Sequence, residues 1–497
     1  MQLKCSVVAG GIWYSVSTAV IGCIDLISVV ILSRLFSPGE FGAMAIVLLV
    51  SSFAAAYTDM GICSAVIQRR TLVREEFSSV YWLTVVTGLT IWLAMSAASP
   101  VIAFVFKEPL LKSLLSVAGV GFFIISFGLP FDWLLEKELY FPTLAKMDMT
   151  KALIGLIVSV ACAYCGMGIW SLIVSYIAKC ITSTVWLLVV GLPMWRPQFR
   201  LNLNELRSYA RFGLFQMAER TMINLSYQVD QVLVGSLLGI QQLGYYNFAL
   251  NQILLPLCRL TPILLRIALP VFCKLQDDRG ALSRHYFKMS RLLNFMNAPL
   301  LFGMAVLAPV FVPKVFGAHW NPAIPCLQVL SFYMFCRNAG DLLSPLLLAK
   351  GHAGFSFSWS LSLFVVSIPC IVVGAMSKGL VGVSIALSLV MMTRLPASYA
   401  IFIRPLLGRS GVEAASCVLM PAIMAFAMGI ELCALSAFLR PSLMSFTVEI
   451  SLGAATYIAL ARFFDAVNFG NFWQILFEAF RMPSPEKADV KLLPWFH

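Results

Sequence analysis

Apolar residues run along this chain in stretches of near-bilayer length, separated by short polar gaps that carry most of the charge. A helix rises about 1.5 Å per residue, so crossing a hydrocarbon core of about 30 Å takes roughly 20 apolar residues. On that measure the chain holds about fourteen spans, at 12–32, 42–66, 80–105, 114–130, 151–166, 169–191, 212–236, 243–271, 292–312, 323–348, 355–376, 380–402, 416–438 and 446–464. The pattern predicts an all-α polytopic membrane protein, with a further amphipathic helix at 469–480 where Phe469, Phe472, Trp473, Leu476 and Phe480 recur at helical spacing.

The gaps alternate in charge. With Lys4 in the cytoplasm, the even-numbered gaps, the boundary residue Lys151 and both termini hold 22 of the 35 lysines and arginines, whereas the opposite gaps hold six. Cationic loops stay on the cytoplasmic side during insertion, so both termini are expected there. Composition agrees, because a chain with 60% hydrophobic and 12% charged residues cannot cover a soluble surface with polar groups. The net charge of +12 is spread over many short loops, which suits an anionic inner leaflet and not nucleic acid.

Other chemistry is excluded by what the gaps can hold. The longest, at 131–150, 192–211 and 272–291, have no room for a catalytic or nucleotide-binding domain, and no Walker sequence or Gly-rich phosphate loop is present. The 13 cysteines lie mostly mid-span without CxxC or His-rich grouping, so they read as small packing residues, not disulfides or metal ligands. The first apolar stretch is too long for a cleavable signal peptide. No catalytic residue, metal or cofactor is expected, and energy must come from an H⁺ or Na⁺ gradient, the membrane potential, or the substrate's own downhill path.

A weak internal repeat organises the spans. At an offset of 202 residues Gly11 falls on Gly213, Leu35 on Leu237 and Gly42 on Gly244, with apolar Trp13 and Phe41 on Phe215 and Leu243. Three identities leave chance likeness among apolar residues open. Parallel repeats of this sort build the halves of many transporters, with the substrate path at their interface. The expected organisation is a six-helix lobe over 1–192, a connector at 193–211, a second six-helix lobe over 212–404, an additional helix pair at 405–465 and a cytoplasmic tail at 466–497. The two lobes are expected to enclose a central cavity.

An ordered set of motifs then carries a family resemblance. Leu32-Ser33-Arg34-Leu35-Phe36-Ser37-Pro38-Gly39-Glu40-Phe41-Gly42 is followed by Asp59-Met60-Gly61 and Val66-Ile67-Gln68-Arg69-Arg70. Tyr227 to Gly235, Leu243-Gly244-Tyr245-Tyr246-Asn247, Leu269-Pro270, Leu275-Gln276-Asp277-Asp278, Phe316-Gly317-Ala318-His319-Trp320 and Ile324-Pro325-Cys326-Leu327-Gln328 continue it. The set resembles the Wzx-type flippases of the multidrug/oligosaccharidyl-lipid/polysaccharide exporter superfamily, in particular the colanic acid exporter branch, over about residues 5–410. The resemblance implies a bacterial inner-membrane carrier that moves an undecaprenyl-diphosphate-linked oligosaccharide between leaflets. It also implies membrane lipids and polysaccharide polymerase and export machinery as partners. It supplies no motif from which site residues transfer.

Site residues therefore follow from physics. A diphosphate-linked glycan needs cations and hydrogen-bonding groups inside the bilayer, where ionisable side chains are costly unless they face water or one another. Lys179, Arg220, Arg259, Arg337 and Arg394 lie within spans and are the anion-site candidates, arginine being favoured because its planar fork matches phosphate oxygens. Arg337 and Asp341 are four residues apart on one helix face, so mutual neutralisation is the competing reading for both. Asp25, Glu219 and Asp341 are the ion-coupling candidates, since a buried carboxylate can take up and release a cation as access alternates. Two other classes compete. A cation-coupled multidrug antiporter would favour an acidic pocket over this surplus of cations, and a lipid II flippase is the nearest neighbour of the first reading. A membrane glycosyltransferase or polymerase would need a long catalytic loop that no gap provides.

Overall fold

The computed structural model describes residues 2–59, 74–199, 221, 224–225, 228–408, 411–438, 443–464 and 470, and every regular element among them is helical. In order these are α1 (Gln2–Leu35), α2 (Pro38–Asp59), α3 (Arg74–Val105), α4 (Leu110–Ser126), α5 (Leu129–Lys137), α6 (Phe141–Tyr164), α7 (Trp170–Gly191) and α8 (228–238). They continue as α9 (Ile240–Lys274), α10 (Arg279–Phe311), α11 (Ile324–Ala339), α12 (Leu343–Ala349), α13 (Ala353–Ser398), α14 (Gly411–Phe438) and α15 (Leu443–Phe464). Among the described residues nine helices are long and apolar enough to cross a membrane, or ten if α4 and α5, bent by 45°, form one crossing. The chain is thus a multi-pass helical membrane protein. That count stops short of the expected fourteen partly because the stretch Gly354–Leu407 enters it once. Within it α13 breaks at Lys378 and Gly379 and doubles back as two arms, 353–377 and 380–398. The predicted span 323–348 is likewise two pieces, α11 and α12, parted around Gly340. Most of the expected connector and the start of the seventh span lie outside the described residues, as does the expected helix at 469–480 apart from Gly470.

The chain divides into two compact units, Met1–Gly244 and Tyr245–His497. In the first, α3 packs along α4, α6 lies between α1 and α7, and α4 reaches α7. Lipid chains are as apolar as leucine, so these contacts depend on small residues that let helices approach. A Cβ at Gly119 would stand 2.9 Å from Trp92 Cδ1, one at Gly121 2.5 Å from Tyr176 Cε1, and one at Gly128 3.1 Å from Thr184 Cα. The start of α2 is fixed by a capping box: the Ser37 backbone N–H and hydroxyl donate to Glu40 Oε2 at 2.8 and 2.9 Å. One turn further on, Gly42 meets the first turn of α9 with no side chain between, 3.0 Å separating its would-be Cβ from Gly244 N. Gly42 and Gly244 are the residues paired by the 202-residue offset.

The chain leaving α7 is held by aromatic packing. Trp195 stands edge-on to Phe77 and Tyr81 and tilted against Phe131, with ring centroids 4.8, 6.0 and 5.8 Å away. Trp82 donates from Nε1 to the Gln198 carbonyl at 2.9 Å and stacks on Phe199. Tyr81 is 5% exposed in this cluster, which shows its ring serving as core.

In the second unit α10 is the hub, packed by α11 and α14, while α13 lies on α11. The additional C-terminal pair joins through α10: Asn294 Nδ2 donates to the Cys417 carbonyl, Arg291 to Ser416 Oγ, and Tyr457 Oη to the Phe295 carbonyl at 2.9 Å. The Asp278 carboxylate caps α10 by accepting from the Gly280 and Ala281 N–H groups, both at 2.9 Å. Those N–H groups hold its carboxyl below the usual aspartate range. The motif at 316–320 is a packing device. Gly317 sits at φ +112, a conformation side chains resist, and the turn it makes buries Trp320 against Phe248 with ring centroids 4.1 Å apart.

Candidate functional site

The structure brings three of the proposed charges to one place in the second unit. Tyr333 and Arg337 are one turn apart on α11, and Arg337 Nη1 donates to Tyr333 Oη at 3.4 Å. Asp341, in the break after α11, lies within electrostatic reach of Arg337. Arg394 approaches from the second arm of α13 and also senses the Tyr333 hydroxyl. Its guanidinium donates from Nη1 to Ser362 Oγ at 3.0 Å and from Nη2 to the Trp359 carbonyl at 2.9 Å. It lies 4.0 Å over the Trp359 ring, where ring quadrupole and cation attract.

The fold dictates that clasp. Arg394 and Trp359 are 35 residues apart and meet because α13 is a hairpin. Two of the guanidinium's five donors are engaged in it, which leaves planar N–H groups for an oxyanion. A half-buried arginine stacked on an indole beside a tyrosine hydroxyl is suited to bind phosphate or acidic sugar together with sugar hydroxyls.

Lys179 belongs to the first unit, in the middle of α7. Its side chain is draped over Gly155 of α6, where a Cβ would stand 2.9 Å from Lys179 Cδ. Ser175, one turn earlier on α7, donates to the Gly155 carbonyl at 2.7 Å and fixes the approach. Among the described residues Lys179 has no ion-pair or hydrogen-bond partner. Asp25 is half-buried on α1 and is engaged by neighbouring groups. Arg259 is on α9 with its side chain outside the described residues, and Glu219 and Arg220 lie outside them altogether.

Sequence reasoning missed Tyr333, Trp359 and Glu449. Tyr333 is 5% exposed and Glu449, on α15, is 1% exposed with Oε2 unpartnered among the described residues. An acid at the fourth position of the predicted span 446–464 was the available signal for Glu449. The aromatic residues carried none, since tyrosine and tryptophan in a membrane chain mark interfaces far more often than sites.

Against this geometry the comparisons with known proteins are direct. Residues 31–325 match the family described as "Polysaccharide biosynthesis protein", and the chain belongs to that family. Lipopolysaccharide biosynthesis protein WzxC of Escherichia coli (strain K12) is 29% identical over 410 residues, covering 82% of this chain and 83% of that protein. Teichuronic acid biosynthesis protein TuaB of Bacillus subtilis (strain 168) is 27% identical over 353 residues, covering 71% and 73%. The fold is that of the lipid II flippase MurJ in its inward closed conformation, with a TM-score of 0.71, 14% identity, and coverage of 91% of this chain and 98% of that one.

Proposed function

We propose that this chain flips an undecaprenyl-diphosphate-linked oligosaccharide across the bacterial inner membrane by alternating access, with both termini cytoplasmic, and so supplies a polysaccharide polymerase and export machinery. The observation that carries this reading is the cationic cluster of Arg337 and Arg394 around Tyr333 and Trp359, set in helices of a polysaccharide biosynthesis protein. Arginines within spans are costly unless they face water, find partners or meet an anionic cargo, and the aromatic floor suits the glycan attached to such a cargo. Lys179 and the arginines at 220 and 259 are the further proposed substrate-binding cations. Asp25, Glu219 and Asp341 are the proposed coupling acids for H⁺ or Na⁺.

The test is export in a bacterium whose own flippase gene is deleted and replaced by this chain. Arg337→Gln with Arg394→Gln, and separately the neutralised set at 220, 259 and 337, are expected to abolish surface polysaccharide per molecule inserted in the membrane. Full surface polysaccharide from both variants refutes the assigned anion site. Efflux of cationic dyes, with no lipid-linked glycan translocated by the wild-type chain, favours the multidrug antiporter instead.

A further inference from the structure

The hairpin α13 holds a slot that the transport reading does not use. Just before the turn its arms cross backbone to backbone: a Cβ on Gly374 would stand 2.5 Å from the Gly382 carbonyl oxygen, and one on Gly382 2.9 Å from the Gly374 carbonyl carbon. The turn follows at Lys378 and Gly379, the latter at φ +57. The arms meet again where Arg394 clasps Trp359 and Ser362. Alongside the crossing, from the turn towards the clasp, runs a groove of about 510 Å³, walled by Pro369, Cys370 and Val373 on one arm and Ile385, Ala386 and Leu389 on the other. Val373 and Leu389 are 66% and 56% exposed, so the groove opens outward, onto the surface that a membrane protein presents to lipid. Its volume falls in the range of about 300–1,000 Å³ that small-molecule sites occupy.

Length and charge identify the occupant. From Lys378 back to Pro369 is roughly 13 Å of helix at about 1.5 Å per residue, close to one leaflet of a hydrocarbon core about 30 Å thick. A chain much longer than one leaflet would overrun the Arg394 clasp. Lys378 and Ser377 form the mouth. The Ser377 hydroxyl is spent on the Gly374 carbonyl, whereas Lys378 is exposed and has no partner among the described residues. A one-leaflet apolar slot ending at a lone cation is complementary to an anionic glycerophospholipid, and we propose that α13 binds one, with an acyl chain in the groove and its phosphate on the Lys378 ammonium. This lipid is structural or regulatory and not cargo, and the proposal does not rest on the flippase reading.

The test uses the full chain in nanodiscs doped with phosphatidylglycerol or phosphatidylcholine carrying a diazirine on the acyl chain, with adducts mapped by peptide mass spectrometry. Phosphatidylglycerol adducts are expected within 369–390, exceeding those of phosphatidylcholine on the order of fivefold, the discrimination that one juxtamembrane lysine provides. Lys378→Gln should remove that preference, and Ala386→Trp should remove adducts of both lipids while keeping the wild-type thermal midpoint. Should the tryptophan variant fail to fold, the Lys378→Gln comparison decides alone. Equal labelling by the two lipids, adducts outside 369–390, or displacement of phosphatidylglycerol by an equimolar polyprenyl phosphate each overturn the proposal, the last by giving the groove to a longer isoprenoid tail.

Discussion

Gly42→Ala probes the closest backbone approach in the first unit. The added methyl would lie within bonding range of the Ile240 carbonyl oxygen, 2.9 Å from that carbonyl carbon and 3.0 Å from Gly244 N. All three neighbours are main-chain atoms of α9, so no side chain can rotate away and the helices must part by more than an ångström. Overpacking of this kind costs about 1–3 kcal/mol, more where backbone has to move. Alanine returns up to about 1 kcal/mol of helix propensity, so the net expectation is a loss. Gly303→Ala is the matched control: it is also mid-helix, but its Cβ would meet only the end of Met428 at 3.6 Å, an ordinary contact. The assay is the thermal midpoint of purified protein in detergent, followed by intrinsic fluorescence. Gly42→Ala should unfold below wild type and Gly303→Ala at or above it. Equal midpoints for the two variants would falsify the reasoning, because propensity alone would then account for both.

Trp320→Ala should cost about 3–5 kcal/mol through loss of a fully buried indole, whereas His319→Ala should cost far less; equal losses would show that the motif is not there for packing. Arg394→Lys keeps the charge but gives up both guanidinium hydrogen bonds and the flat overlap with Trp359, so about 1.5–3 kcal/mol of hairpin stability is at stake. Its thermal midpoint should fall, and an unchanged midpoint would mean the clasp carries no load. The Asp278 carboxyl is held below its unfolded value, near about 4, so its contribution is present above that pH and disappears as pH falls through the folded-state value. Wild type should therefore lose stability on acidification more steeply than Asp278→Asn below about pH 4, and parallel midpoint curves for the two would contradict the cap.

The legible part of this protein is local. A helix in lipid must satisfy its own backbone and present apolar side chains, so a span is written in about twenty consecutive residues, and the long helices found overlap the predicted stretches where those are described, while α5 falls mostly in the predicted gap at 131–150. The close approaches at Gly119, Gly121 and Gly128 follow the same local rule, since small residues in a membrane helix let neighbours come near. The candidate cluster was half legible. Arg337, Asp341 and Arg394 stood out because charge within a span is rare, but Tyr333 and Trp359 did not, because nothing in an aromatic residue's own neighbourhood distinguishes a floor for an arginine from an anchor at the bilayer surface.

By itself, then, the order of residues determined that this chain is helical, crosses the bilayer many times, and carries its charges at depths that call for a cargo or a partner. Only the tertiary structure decided which of them meet. It joined Arg394 to Trp359 across a turn that hydropathy does not register, stacked Trp320 on Phe248, and placed Lys378 at the mouth of a groove. Hydropathy sums over neighbours in the chain, whereas these encounters depend on where two helices cross, and crossings are set by small residues and single turns whose effect is felt tens of residues away.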